Sequence, residues 1–207
     1  MPTLTEAQAI TRAHELLAAR PGRVVLGIAG APGAGKSHLS SALVAAIPDS
    51  VVLGMDAFHL AHSVLTARGD VERKGAPETF DAHGYVALLQ RVRHQGSETI
   101  WAPEFRREVE DAIAGAVEVA PATRLVITEG NYLLLDTEPW NKVPGLCDEV
   151  WFAGPNEDTR IERLVARHIH YGRSPADALR RATRGTDADN AALVSASRHR
   201  ADAEVRL

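Results

Sequence analysis

Gly30-Ala31-Pro32-Gly33-Ala34-Gly35-Lys36-Ser37 fills the template G-x-x-x-x-G-K-[ST] of a phosphate-binding loop. Directly before it, Val24-Val25-Leu26-Gly27-Ile28 is a short apolar, β-branched run, the pattern of a buried parallel strand. After it, Leu39, Leu43 and Ile47 recur at helical spacing, so the loop joins a strand to a helix. Glycines let such a backbone close around phosphates with its N–H groups pointing inward. The helix N-terminus adds partial positive charge, Lys36 a full one, and Ser37 a hydroxyl for Mg²⁺. Gly30, Ala31, Pro32, Gly33, Ala34, Gly35, Lys36, Ser37 and the adjoining His38 are the expected nucleotide-binding residues, and the ligand they imply is a nucleoside triphosphate.

Working outward, apolar runs and helical patterns alternate, which predicts an α/β fold with a parallel sheet covered on both faces. The candidate strands are Val24–Ile28, Ser50–Gly54, Leu125–Thr128, Glu149–Phe152 and Ala203–Leu207, about five in all. Candidate helices lie near 5–19, 36–47, 82–94, 156–171, 175–184 and 188–196. Between 56 and 121 the pattern loosens, and Thr99–Trp101 with Val117–Val119 offers a small hairpin. That region reads as an insertion presenting substrate-binding side chains. No repeat or linker divides the chain, so residues 1–207 are expected to form one domain, with a helical lid over 156–185.

The charge balance, 23 Lys+Arg against 27 Asp+Glu, argues against a nucleic-acid or anionic-membrane partner. No apolar run approaches a membrane span, and the N-terminal residues read as an amphipathic helix rather than a targeting segment. The single cysteine, Cys147, excludes an internal disulfide and suits a reducing cytosol. Its place before Val150-Trp151-Phe152 reads as a buried structural thiol. The partner expected is a small molecule; a homodimer stays open.

Two carboxylates end predicted strands. Side chains at the carboxyl ends of strands in an open α/β sheet face the ligand crevice. Asp56, after Val51-Val52-Leu53-Gly54-Met55, would lie near the γ-phosphate and accept a proton from an attacking hydroxyl. Its other reading is an N-cap for Phe58–Leu60. Glu129, after Leu125-Val126-Ile127-Thr128, would hold Mg²⁺ together with Ser37, or else bond loop N–H groups. On the helix near 156–171, Arg160, Arg163 and Arg167 share one face, either as a clamp on the transferring phosphoryl group or as a solvated surface. Arg73 and Lys74, in a loop close to the predicted catalytic edge, suggest an anionic or polar substrate. Pro103-Glu104-Phe105-Arg106-Arg107 raises the same choice, with Phe105 a stacking surface. His59 is the histidine placed for substrate contact; no histidine pair has zinc spacing.

Taken together, these residues resemble the uridine kinase, phosphoribulokinase and bacterial pantothenate kinase group of P-loop kinases. Met55-Asp56-Ala57-Phe58-His59 is similar to the stretch that carries the group's catalytic base, and Thr128-Glu129-Gly130-Asn131 to its Glu-Gly turn. Arg73-Lys74-Gly75 through Asp81 and Pro103 to Asp111 resemble acceptor-pocket segments, and Asn190 an asparagine that reaches the acceptor. Within the group the chain most resembles a short bacterial subgroup labelled nucleoside/nucleotide kinase-like or fructose-transport-associated kinase. The resemblance implies a three-layer P-loop sandwich and ATP-dependent phosphoryl transfer to a hydroxyl of a small polar metabolite. Asp56, Lys36, Glu129, Arg163 and Arg167 would be catalytic, with His59, Arg73, Lys74, Phe105, Arg107 and Asn190 on the substrate. Ala57, Ala102, Phe105 and Arg107 depart from the group's usual residues, which leaves the acceptor open. A GTP-dependent switch is disfavoured, since Asn141-Lys142-Val143-Pro144 lacks the aspartate of a guanine-reading N-K-x-D motif. A non-catalytic ATP-binding module would have no need of Lys36, Ser37, Asp56 and Glu129 together.

Overall fold

The computed structural model describes residues 1–207. A two-residue strand, β1 (Thr3–Leu4), precedes α1 (Glu6–Ala19). Thr5 starts that helix with a reciprocal cap: its hydroxyl accepts from the Gln8 N–H, and the Gln8 side chain accepts from the Thr5 N–H. Then come β2 (Val24–Ala29), α2 (Lys36–Ala46), β3 (Ser50–Gly54), α3 (His62–Arg68) and α4 (Ala82–Arg93). The hairpin β4 (Ile100–Arg106) and β5 (Asp111–Val119) follows, then β6 (Leu125–Gly130) and β7 (Glu149–Ala153). The chain closes through α5 (Glu157–His170), α6 (Pro175–Arg184), α7 (Thr186–Ala196) and β8 (Ala203–Val205).

Six strands make one parallel sheet in the order β1-β8-β7-β2-β6-β3. Every residue of β2 is buried, as its continuous apolar run requires of a strand covered on both faces. Val24, Leu26 and Ile28 pack toward Ala9, Ala13, Leu39 and Leu43 of α1 and α2. On the opposite face Tyr85 and Leu89 of α4 pack with Tyr132, Trp140 and Phe152. Tyr85 also crosses to the sheet, its hydroxyl 2.6 Å from that of Thr128, which in turn donates to the Leu53 carbonyl. Register aligns the functional ends: Glu129 stands opposite Ile28 on one side and Gly54 on the other. The carboxyl ends of β2, β6 and β3 therefore meet where the glycine-rich loop begins.

The sheet has six strands rather than about five. The added β1 is held by pairing Thr3 with Glu204 and Leu4 with Val205, a tertiary contact that leaves no local pattern. Helix α3 was not expected either; it is short and mostly polar, and stops at Gly69 with φ 73°. The hairpin keeps the expected pairing of Ile100 with Val119 but runs on to Arg106 opposite Asp111, shifting register between Ala102 and Glu104, around Pro103. The thiol of Cys147 is pushed up to about 12 by burial, next by Asp148, as befits a structural cysteine.

Candidate active site

The loop between β2 and α2 turns on two glycines with positive φ, 85° at Gly33 and 91° at Gly35. A Cβ on Gly33 would lie 2.6 Å from the Arg160 carbonyl oxygen, so both dihedral and space demand glycine. Arg160 itself is buried and braces the loop. Its guanidinium donates to the Pro32 carbonyl at 2.9 Å and to both carboxylate oxygens of Glu157. Of the three arginines on that helix face, Arg160 is thus a brace rather than a free cation.

Lys36 folds back over the loop, donating to the carbonyls of Gly30 and Ala31 and, at 2.8 Å, to Asn131 Oδ1. Burial holds its ammonium down at about 8; Arg167 and Arg107 push the same way, while Glu129 and Asp56 oppose them. Ser37 Oγ donates to Glu129 Oε1 at 2.9 Å, and Ser40 Oγ lies 3.1 Å from Glu129 Oε2. Glu129 is therefore gripped by hydroxyls one helical turn apart. A hydroxyl beside a carboxylate is an all-oxygen donor pair, suited to Mg²⁺, which needs only one or two protein ligands when phosphates supply the rest. The His38 side chain points elsewhere, toward Glu6 of α1 at 2.7 Å.

Asp56 lies just beyond β3 in a single 3₁₀ turn, Met55–Phe58, and its side chain caps nothing. The Asp56 carboxylate, 41% exposed, is 3.5 Å from Arg107 Nη2. Arg107 comes from the tip of the hairpin, and Phe105 lies beneath it, 5.8 Å from guanidinium carbon to ring centroid. Lys74 Nζ stands 5.4 Å from the same ring and donates to the Glu110 carbonyl at 2.7 Å. His59 completes the floor, 5.3 Å from Phe105 and 4.0 Å from Phe80 between ring centroids. Burial lowers the His59 pKa and so favours the neutral imidazole. Of these residues, Asp56 and Arg107 lie close enough to Lys36 for their charges to act on it.

The remaining expected residues divide. Arg167 is close enough to Lys36, Arg107 and Asp56 for their charges to act on one another; its pKa is lowered, first by burial and then by Arg107. Arg163 lies beside Gly35 and Leu207. Together with Glu6, His38 and Arg206 these line an open groove of about 480 Å³. Arg73 is 62% exposed and paired with Glu78 at the surface. Asn190 is buried and spends its amide on the Gly75 carbonyl at 2.9 Å, which also accepts from the Tyr132 hydroxyl. Asn190 thus shapes the Lys74 loop. Arg181 and Thr186 hold the same loop, through the carbonyls of Lys74 and Glu72.

Sequence reasoning did not single out Ser40, Asn131 or Tyr132. Asn131 carried a signal, one residue past the Glu129-Gly130 strand end. Ser40 carried one too, since i+3 on a helix shares the face of Ser37.

No family model matches the chain. The "ATP-dependent kinase-like protein notR′" of Aspergillus versicolor is 38% identical over 128 residues, 58% of this chain and 74% of that protein. The "Putative uridine kinase C227.14" of Schizosaccharomyces pombe is 32% identical over 171 residues, 78% of this chain and 72% of the relative. A crystal structure of a "putative fructose transport system kinase" from Silicibacter sp. TM1040 superposes with a TM-score of 0.87 at 39% identity, over 97% of this chain and 98% of the other. The phosphate loop, the carboxylate ends of β3 and β6, and these likenesses agree: the chain belongs to the P-loop kinases, in the group of uridine kinase, phosphoribulokinase and bacterial pantothenate kinase.

Proposed function

We propose that the chain is an ATP- and Mg²⁺-dependent kinase that moves the γ-phosphoryl group to a hydroxyl of a small polar metabolite. The observation that carries the reading is the convergence of Lys36, the Ser37–Glu129 pair and Asp56 at one end of the sheet, with Arg107 3.5 Å from Asp56. Loop amides and Lys36 bind the β- and γ-phosphates. Lys36 exchanges its contacts to Gly30, Ala31 and Asn131 for phosphate oxygens. Ser37 and Glu129 would hold Mg²⁺, which supplies neutralisation of phosphate charge when bound.

Asp56 orients the acceptor hydroxyl and takes its proton as the new oxygen–phosphorus bond forms. The bond from the γ-phosphorus to the bridging oxygen breaks, and ADP leaves. Arg167, partly buried and free of any carboxylate partner, stabilises the transferring group. Arg163 lines the groove at Gly35 and Leu207, which we assign to the nucleoside end of ATP. Residues 56–121 serve as the acceptor-binding insertion and 156–185 as the lid, within one domain. The lone, half-buried thiol suits a cytosolic setting.

The test is a panel of nucleosides, vitamins, sugars and hydroxy acids with Mg-ATP, scored by ADP release and by mass of the phosphate ester. An ester formed only with active protein supports the reading. ADP release equal with and without every acceptor would overturn it.

A further inference from the structure

Asn131 stands beside Lys36 with its amide hydrogens unspent. Lys36 Nζ donates to Asn131 Oδ1 at 2.8 Å. An ammonium only donates, so this contact fixes which way the amide faces, with Oδ1 toward Lys36 and Nδ2 away from it. Nδ2 donates to no protein group. Since no buried side-chain nitrogen or oxygen lacks a partner, Nδ2 is open to solvent. The backbone is held on both sides of this residue. A Cβ on Gly130 would lie 2.5 Å from Met55 Cβ, so the chain packs tightly there. Tyr132 is fully buried and donates its hydroxyl to the Gly75 carbonyl.

Strand order places Asn131 between the two halves of the reaction. β6 lies between β2 and β3. Its last rung to β2 pairs Gly130 with Ala29, and its last rung to β3 pairs Glu129 with Gly54. Asn131 thus leaves the sheet between the strand that opens the phosphate loop at Gly30 and the strand that runs into the Asp56 turn. A γ-phosphoryl group passed from the loop to a hydroxyl at Asp56 lies between those same strand ends. Resting on the kinase reading, we infer that Asn131 is a further substrate-contacting residue, whose amide N–H groups donate to an oxygen of the γ-phosphoryl group. When Lys36 exchanges its resting contact for phosphate, Asn131 keeps its place and its donors meet the same anion. A neutral donor adds a hydrogen bond there without adding a cation beside Lys36, which Arg167 and Arg107 already push toward deprotonation.

The experiment compares two nucleotides that differ by the γ-phosphate: Mg-ADP and the Mg complex of the β,γ-imido analogue of ATP. Each is titrated by calorimetry into the full chain and into Asn131→Ala and Asn131→Asp. The wild type prefers the analogue. Asn131→Ala lowers that preference about tenfold, the size of one charge-assisted hydrogen bond, and leaves ADP affinity unchanged. Asn131→Asp keeps the shape but turns a carboxylate toward the phosphate, so its preference falls at least as far. An asparagine that only steadies the resting Lys36 gives the opposite result, because losing the resting contact favours exchange onto phosphate. A preference that stays level or grows in Asn131→Ala therefore overturns the proposal. Equal loss for both nucleotides, the mark of a folding defect or of a β-phosphate contact, overturns it too. Ester formation in the acceptor panel reports on the kinase reading separately. A panel that yields ester while the preference is unchanged removes Asn131 alone. A panel without ester, beside a preference lost in Asn131→Ala, keeps the phosphate contact and removes the transfer reaction.

Discussion

Lys36 makes alkaline pH a direct probe of the phosphate loop. In the free protein, burial brings its ammonium from the ordinary 10.5 down to about 8. A bound triphosphate supplies the missing counter-charge and returns the group toward the ordinary lysine range. The charged fraction of free protein then falls from about nine-tenths at pH 7 to about 3% at pH 9.5, so apparent Mg-ATP affinity weakens about thirtyfold across that interval. Stability moves the opposite way. The folded value lies below the unfolded one, so the buried cation costs stability below pH 8, and the cost is relieved as pH rises from about 8 toward 10.5. By pH 9.5 that relief amounts to about 2 kcal/mol, from about 1.5 pH units at 1.36 kcal/mol each. Calorimetric titration of Mg-ATP at half-unit steps, with Lys36→Ala alongside, reads the affinity; urea unfolding in the same buffers reads the stability. The variant binds weakly and shows no such slope. Wild-type affinity that stays level to pH 9.5 refutes the assignment of Lys36 to the phosphates.

Asp56→Asn keeps Mg-ATP binding but loses about 10²–10⁴ in turnover, because the amide cannot accept the hydroxyl proton; steady-state kinetics with an identified acceptor checks it. Glu129→Gln raises the Mg²⁺ concentration needed for half-maximal rate, read from a metal titration at fixed ATP, whereas an unchanged midpoint removes Glu129 from the metal site. Arg163 and Arg167 separate in the same assay: Arg167→Ala lowers kcat far more than ATP affinity, and Arg163→Ala mainly weakens ATP binding. Gly33→Ala forces a left-handed alanine against the Arg160 carbonyl and costs about 2–4 kcal/mol, measured as a lowered unfolding midpoint. Cys147 stays unmodified by iodoacetamide in the native protein at pH 8 and reacts once the protein is unfolded.

The phosphate loop, its strand and its helix were legible because their signals are local: glycines at fixed offsets, a continuous apolar run, and a helical repeat. Helix caps carry the same kind of local signal, as with Ser174 before Pro175 and Asp81, which accepts from the Gly84 N–H. What escaped was fixed by contacts distant in sequence. Strand β1 exists through Glu204 and Val205, and Arg160 turned out to brace Pro32, 128 residues away. Arg160, Arg163 and Arg167 look equivalent on a helical wheel, yet they go to the loop carbonyl, the groove at Leu207 and the cleft near Asp56. Asn190 was placed on the acceptor by resemblance; its amide faces the Gly75 carbonyl because α7 packs behind the Lys74 loop. Asp56 and Glu129 stood out because the carboxyl ends of strands line the crevice of an open α/β sheet, and in the structure the charges of both act on Lys36.

Phosphoryl transfer to an alcohol with Asp56 as the base has a direct readout in labelled ester. It is tested most directly by incubating wild-type protein and Asp56→Asn with γ-labelled ATP, Mg²⁺ and a pool of anionic and neutral alcohols, then separating labelled organic esters from inorganic phosphate. The expected result is labelled ester from the wild type and, from the variant, ATP binding with label transfer reduced at least about a hundredfold. Label appearing only as inorganic phosphate from the wild type, or ester formed equally well by Asp56→Asn, would contradict it.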